Sequence, residues 1–377
     1  MSVYKVPANV YAVASALLDD CSFIGFNDSG GAVVHGRHFT AWDGFDMSKA
    51  PEVVYAGPLL KAILLMGAET DFEVSGSGDS TVDMRWNGGR ASIGNVLDVQ
   101  TVGLKLLADG MLGNGETFAS VDRSIVVDAL GLSRVAGSSG RDTSILDGFV
   151  GMRDGVAAAG TAGCQMVCPL SKDLVGLSAL VQHRHAKAAA TFLGSLDSEF
   201  VNMGDASAHL FVTANGGSSG IAVASAVTQN QQPRNVLDAA VRRVMAVPVV
   251  SAAQYDVAAV LDALGHCANF LVSVAGASGN DAKRARVLWT SDGSVSVDAG
   301  KDLGNARYSV GDAGIDALHD MRSVTQIFKM LRGCGVKTAF AQHHAKSDNG
   351  VTMFVDSDGP FDAMSMRFGI ASALRQQ

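Results

Sequence analysis

One pattern recurs six times along the chain: a short apolar strand, an amphipathic helix, then strands separated by Gly, Asp and Ser turns. The first copy reads VYKVPANVYAVASALLDD followed by GGAVVHGRHFTAWDG, and the second EVVYAGPLLKAILLMGA followed by TDFEVSGSGDSTVDMRWNGGRASIG. The third runs through ETFASVDRSIVVDALGLSRVAG and ILDGFVGMRDGVAAAGTAGCQMV, the fourth through VQHRHAKAAATFLGSL and EFVNMGDASAHLFVTA. The fifth pairs AVPVVSAAQYDVAAVLDALGH with ARVLWTSDGSVSVDAG, and the sixth MRSVTQIFKMLRGCG with KTAFAQHH and GVTMFVDSDG. Helices are expected to begin near Pro7, Gly57, Val121, Arg184, Ala253 and Arg322, spaced by roughly 50 to 70 residues, a regularity that unrelated elements would not keep.

The periodicities within a copy assign the elements. Val257, Val260, Leu261 and Leu264 fall at i, i+3, i+4 and i+7, as do Leu60, Ile63, Leu64 and Gly67, so each set marks one apolar helix face. Val82, Met84 and Trp86 alternate with Thr81, Asp83 and Arg85, as a strand requires. NGG at Asn87 and SDG at Ser291 read as antiparallel hairpin turns. A helix on one face of an antiparallel sheet is an α+β layer. A unit of about 60 residues buries too little surface to be secure alone, so the units should pair. Three domains follow, 1–112, 113–245 and 246–377.

Composition narrows the function. The chain of 377 residues is 47% hydrophobic, with 43 Gly against 7 Pro, which suits many tight turns between short strands. The net charge of −8 argues against a protein that simply coats nucleic acid, while leaving room for a basic lining behind an acidic exterior. The five cysteines are odd in number and scattered, and MSVYKVPANV is not a basic-then-apolar leader. No uncharged apolar run of about 18 residues occurs, so no membrane span is expected. The reading is a cytoplasmic protein with reduced thiols.

Three domains of two such units each resemble the bacterial-type DNA sliding clamp, the processivity factor of the replicative polymerase. ILDGFV at Ile145–Val150 is similar to the strand that opens a clamp sheet, and RARVLWTSDGSVSV at Arg284–Val297 resembles a clamp hairpin. GTAGCQMV at Gly160–Val167 stands where these clamps carry Thr-Asp-Gly-His-Arg-Leu, and MSMRF at Met364–Phe368 resembles the Met-Pro-Met-Arg-Leu that ends many of them. Ala162, Cys164 and Gln165 depart from the acidic, His and Arg positions, and the chain continues past Phe368 as GIASALRQQ. Such divergence suits a virus-encoded or otherwise remote clamp.

The resemblance implies a catalytically silent homodimeric ring around duplex DNA, without cofactor or metal, that binds a DNA polymerase and is loaded by a separate ATPase. Lys61, Arg123, Arg134, Arg184, Lys187, Arg322, Lys329 and Arg332 lie on the expected helices and are the candidate DNA-facing charges; each could equally be an ordinary solvated helix charge. The first and fifth helices carry only acids, such as Asp19, Asp256 and Asp262. The implied partner-peptide groove comprises Leu146, Thr161, Gly163, Met166, Pro233, Val236, Met364, Met366, Arg367 and Phe368. Thioethers beside Leu and Phe make an adaptable apolar surface, although Met364 and Met366 would also suit the core side of a last strand.

Other motifs point elsewhere only weakly. No Gly-x4-Gly-Lys-Ser/Thr loop occurs, so ATP-driven loading must come from a partner. SGSGDS at Ser75 and ANGGSSG at Ala214 do not open helices after buried strands and read as hairpin turns. His183 with His185, His343 with His344, and Cys164 with Cys168 match no common zinc spacing and are expected to be structural or solvated. GSSGR at Gly137 reads as a loop. The competing class is a β-rich structural protein of a virus particle, which repetition and abundant glycine would also suit.

Overall fold

A computed structural model of the chain describes residues 3–76, 81–94, 119–134, 148–161, 163–174, 176–206, 208–226, 244, 246–300, 303–346, 349–358 and 366–374. The recurring pattern becomes strand, helix and three strands, six times over. The first copy is β1 (Val3–Tyr4), α1 (Ala8–Ala16), β2 (Cys21–Phe26), β3 (Ala32–Gly36) and β4 (Phe39–Asp43). The second is β5 (Val53–Ala56), α2 (Gly57–Met66), β6 (Phe72–Gly76), β7 (Thr81–Trp86) and β8 (Gly89–Gly94). The third is β9 (Ala119–Asp122), α3 (Arg123–Gly131), β10 (Phe149–Arg153), β11 (Val156–Gly160) and β12 (Cys164–Pro169). The fourth is β13 (Ser178–Gln182), α4 (His183–Gly194), β14 (Phe200–Ala206), β15 (His209–Ala214) and β16 (Ser219–Ala224). The fifth is β17 (Val249–Asp256), α5 (Val257–Ser273), a short extra helix α6 (Gly279–Lys283), β18 (Arg286–Thr290), β19 (Ser294–Asp298) and β20 (Asn305–Ser309). The sixth is β21 (Ala317–Asp320), α7 (Met321–Gly333), β22 (Thr338–Lys346), β23 (Asn349–Val355) and β24 (Phe368–Ser372).

The expected α+β layers are therefore present, and every long helix begins within a few residues of its expected start. Asn87-Gly88 forms the two-residue β7–β8 turn, with Gly88 at φ 98°, and Ser291–Gly293 joins β18 to β19. The Asn215–Gly217 turn joins β15 to β16, as hairpin chemistry predicts. Three helices carry caps that the pattern analysis did not use, α6 among them through Ser278, which accepts from the Asp281 amide at 3.2 Å. Asp256 accepts from the Ala259 amide at 2.7 Å and Asp320 from the Ser323 amide at 2.9 Å, each satisfying a donor that a helix N-terminus leaves open.

The chain forms two compact units, Met1–Leu130 with Ser171–Val227, and Gly131–Leu170 with Thr228–Gln377. The expected domain boundaries after residues 112 and 245 lie outside the described residues, and the stretch between them is shared between the two units. In the first unit one sheet runs β1-β6-β7-β8 and the other β5-β2-β3-β4-β16-β15-β14-β9. In the second, one sheet runs β20-β19-β18-β21 and the other contains β10-β11-β12-β24-β23-β22-β17 in that order. All pairings within them are antiparallel. The opening strand of a copy joins the sheet of a different copy: β1 pairs with β6, β5 with β2, β9 with β14, β17 with β22, and β21 with β18.

In the first unit the large sheet is apolar on both faces. Val10, Val13 and Ala14 of α1 are buried, as are Ala186, Ala189, Phe192 and Leu193 of α4. The opposite face holds Phe23, Val33, Trp42, Phe211 and Ala222, with Phe45 and Met47 packed over them. Gly220 is required there, because a Cβ would stand 2.6 Å from the Trp42 ring. In the second unit Trp289 stacks on Phe328 at 6.1 Å, and both meet Phe354, which touches Phe328 edge-on at 5.1 Å.

That second core also encloses polar groups. Thr352 Oγ1 lies 2.8 Å from His319 Nε2 and 2.9 Å from His343 Nδ1, so one hydroxyl bridges two imidazoles. His344 points the other way, its Nδ1 2.8 Å from the Val247 carbonyl, as adjacent strand residues must. Burial pushes the His319 pKa down from 6.5 to about 3, with the neighbouring His343 adding to the shift. Between those values the unfolded chain takes up a proton that the folded protein refuses. Stability is therefore complete above pH 6.5 and falls as the pH drops, by up to about 1.4 kcal/mol per unit. The urea midpoint should fall between pH 7 and pH 5, and His319→Gln should make that fall smaller. Equal falls would show that His319 accepts its proton in the folded state too.

Candidate functional site

The candidate DNA-facing charges sort by how much of each helix is buried. In α4 the buried set His185, Ala186, Ala188, Ala189, Phe192 and Leu193 leaves Arg184 and Lys187 exposed, one turn apart. In α7 burial of Met321, Val324, Ile327, Phe328 and Leu331 leaves Arg322, Lys329 and Arg332 exposed, at i, i+7 and i+10. These two helices each carry a basic outward face within their own unit. Lys61 is exposed on α2, and Arg134 is exposed in the single turn that follows α3. The exposed positions of α5 include Asp262 but no Lys or Arg.

Arg123 is a correction. Its Nη1 donates to the Leu193 and Gly194 carbonyls at 2.9 and 3.1 Å, and its Nε donates to the Ser198 carbonyl at 2.6 Å. The guanidinium thus satisfies carbonyls at and beyond the C-terminus of α4, where a helix leaves acceptors open and favours positive charge. Arg123 is committed to structure through Nε and Nη1.

Arg184 belongs to a buried polar cluster. Its Nη2 lies 3.6 Å from Asp20 Oδ2, and its Nε donates to Gln182 Oε1 at 3.0 Å. Asp20 also accepts from His185 Nε2 at 2.8 Å and from His38 Nδ1 at 3.1 Å. Burial alone would raise the Asp20 carboxyl, but the hydrogen bonds from His185 and His38 outweigh it and hold the pKa below the usual value. Burial lowers the His185 pKa, against the pull of Asp20. His185 is buried within this cluster, and Asp20 and His38 are distant from it in sequence and carried no local signal.

The groove residues are placed as follows. Leu146, Pro233, Val236 and Met364 lie outside the described residues. Thr161 and Gly163 form the β11–β12 turn, where Gly163 is exposed. Met166 is completely buried, on the side of β12 that faces α7: Cys164 Sγ lies 3.6 Å from the Ser323 carbonyl, and Cys168 meets Met330. Met166 shares that parity and is core, which corrects its place in an open groove. Met366 and Arg367 precede β24, and Arg367 Nη1 stands 3.8 Å from Asp356 Oδ2. Phe368 is fully buried and pairs with Val167. The residues after Phe368 do not trail away: Gly369–Ser372 complete β24 between β12 and β23.

Strand alternation shows what the sequence reasoning missed. Gln165 pairs with Ile370 and Val167 with Phe368, and these four share the sheet face turned away from α7. Met353 and Val355 extend the same face through their pairings with Ile370 and Phe368. No local motif marks this set, because its members come from three separated strands. A second omission is the exposed basic group Lys283, Arg284 and Arg286 around α6. The KRAR run could have flagged it, but it stood off every expected long helix.

Among the described residues β8 in the first unit and β20 in the second each end a four-stranded sheet, and β1, β5, β9, β17 and β21 are terminal strands as well. Near β8, Leu65 of α2 is 88% exposed; in the second unit Val272 and Val274 at the end of α5 and Leu303 before β20 are 42 to 47% exposed. No helix among the described residues is long and apolar enough to cross a membrane.

No family model and no characterised protein sequence matches the chain. Solved structures do. A sliding clamp (DNA polymerase III subunit beta) from Pseudomonas aeruginosa, crystallised with griselimycin, is 11% identical, with a TM-score of 0.68 over 99% of each chain. The DNA polymerase III beta subunit of Thermotoga maritima is 11% identical, with a TM-score of 0.64 over 100% of each. A beta sliding clamp from C. crescentus is 13% identical, with a TM-score of 0.64 over 99% of each. The chain has the sliding-clamp fold from end to end.

Replacing Arg123 by alanine should cost about 2 kcal/mol, since charged hydrogen bonds to otherwise open carbonyls are lost. The folded variant should keep whatever DNA affinity the wild type has. A loss of affinity without a lower melting temperature would return Arg123 to the DNA-facing set.

Proposed function

We propose that this chain is a DNA sliding clamp: a non-catalytic subunit that closes with a second copy around duplex DNA and tethers a polymerase to it. The observation that carries the reading is full-length likeness to clamp structures, joined to exposed basic faces on α4 and α7. The virus-particle reading loses ground, since the likeness spans the chain from end to end.

The chemistry asked of such a subunit is modest. Lysine and arginine side chains on helix faces offer charge to phosphates, which carry no sequence information. Long, hydrated contacts of this kind keep the duplex centred without fixing it at one position. Lys61, Arg134, Arg184, Lys187, Arg322, Lys329 and Arg332 are the proposed lining, without Arg123. Closure supplies residence, so the net charge of −8 is no obstacle to helix faces that are locally basic.

The three-domain division at 112 and 245 is retained as the functional reading of the repeat. Closure into a homodimer is proposed to join the β8 edge of one copy to the β20 edge of the other. An exposed strand edge is a template for pairing, and Leu65 with Val272 and Val274 would supply apolar cover. A partner peptide from the polymerase is proposed to bind beside the β11–β12 turn with Thr161 and Gly163, near Met366, Arg367 and Phe368. Leu146, Pro233, Val236 and Met364 remain part of that proposal. Loading would require a separate ATPase, and a virus-encoded origin and a cytoplasmic location belong to the same reading.

Retention on circular DNA tests encirclement. Loaded protein should stay on a closed circle and leave when the circle is cut; equal retention on linear DNA would sink the ring. The triple variant Arg322→Glu, Lys329→Glu and Arg332→Glu should load poorly at low salt, where surface charge is least screened. Unchanged loading would mean that α7 does not face the duplex.

Leu65→Asp tests closure separately. In solution the wild type should have the mass of two chains and the variant that of one. A wild-type monomer, or a variant dimer of unchanged affinity, would remove the proposed edges from the interface.

A further inference from the structure

We propose that Asp20, His38 and His185 form a binding site for one divalent transition-metal cation, with zinc the ion their donor chemistry fits best. The three residues come from three places in the first unit: the turn that ends α1, the β3–β4 turn, and the first turn of α4. One donor atom from each lies within 4.8 Å of the other two. His185 Nε2 is 2.8 Å from Asp20 Oδ2, while His38 Nδ1 is 3.1 Å from Oδ1 and 3.2 Å from Oδ2. Donors around a tetrahedral zinc with bonds of 2.0–2.1 Å stand about 3.3 Å apart. The carboxylate and each ring need to separate by only a few tenths of an ångström to admit the ion.

Burial and charge agree with that geometry. Asp20 and His185 are 8% and 2% exposed, whereas the His38 side chain is 40% exposed. Two donors are thus held rigidly and the third faces water, which leaves a solvent-side position for a fourth ligand. Two imidazoles with one carboxylate are a common donor set for zinc with an open position. The backbone fixes part of the frame, since the Arg37 amide donates to the Asp20 carbonyl at 2.9 Å and sets the β3–β4 turn against residue 20. Metal would replace the two N–H donors that now satisfy the carboxylate, so each ring would release one proton or change tautomer.

Two neighbours define what the site is not. Cys21 is adjacent in sequence, but its thiol lies 3.3 and 3.5 Å from the Leu17 and Ala14 carbonyls, and burial pushes its pKa to about 12. It is a thiol turned into α1, not a fourth ligand. Arg184 is the opposing charge, 3.6 Å from Asp20 Oδ2. Its side chain is 44% exposed and also bonded to Gln182, so it can turn outward when a cation takes the carboxylate. Metal and guanidinium should therefore compete for one oxygen.

The test uses the full chain, stripped with a chelator and titrated with zinc chloride in competition with a chromogenic zinc indicator. The wild type should bind one zinc per chain with a rise in melting temperature. Asp20→Asn should abolish stoichiometric uptake, and His38→Ala, at a half-exposed position the fold tolerates, should weaken it by more than about tenfold. Arg184→Gln should tighten binding, an outcome that a merely hydrogen-bonded cluster does not produce. Substitution by cobalt should give the visible absorption of a four-coordinate ion in the wild type and not in Asp20→Asn. Failure of the wild type to take up one zinc, or uptake unchanged in folded His38→Ala, overturns the site. The outcome is independent of whether the protein encircles DNA.

Discussion

Backbone hydrogen bonding is the constraint on which the rest of this architecture depends. A strand leaves a row of N–H and C=O groups on each side, and one helix with three strands cannot close both rows or bury the helix's apolar face. The chain meets this by handing the opening strand of one copy to the sheet of another, as β1 goes to β6 and β5 to β2. Copies so joined cannot separate without breaking a ladder. Continuing β4 into β16 and β12 into β24 extends the same solution along the chain. Terminal strands remain at the sheet ends, among them β8 and β20, near which aliphatic side chains are left in water.

With the strands committed to one another, the helices divide their residues between core and solvent. On α4 and α7 the solvent share is basic, although the chain as a whole is acidic. Net charge and local field are therefore separate properties here, and a neutral reading of the composition hides a usable electrostatic surface. The same division explains Arg123: it stands where a helix C-terminus has open carbonyls, so local hydrogen bonding outcompetes solvent for its guanidinium.

Histidines show how much the surroundings decide. His319 packs edge-on against Phe354 and is held neutral with a threonine hydroxyl for partner. His185 is equally buried, but it meets a carboxylate that a second imidazole and a guanidinium also approach. The first arrangement fills a core, while the second gathers donors of the kind that hold cations.

The amino-acid sequence by itself determined the repeat, the helix starts, the hairpin turns at Asn87 and Ser291, and the α+β class. These depend on short-range periodicity and turn stereochemistry, which are written in neighbouring residues. It also marked the bases on α4 and α7, because an amphipathic helix displays its outer face at fixed intervals. It did not reveal that Met166 faces α7 and Val167 the other side, that Gly369–Ser372 belong inside a sheet, or that Asp20, His38 and His185 meet. Strand parity depends on pairing register, and the cluster joins residues up to 165 positions apart. Only the folded backbone sets those distances, because no local preference in the chain encodes which distant strand or turn will lie alongside.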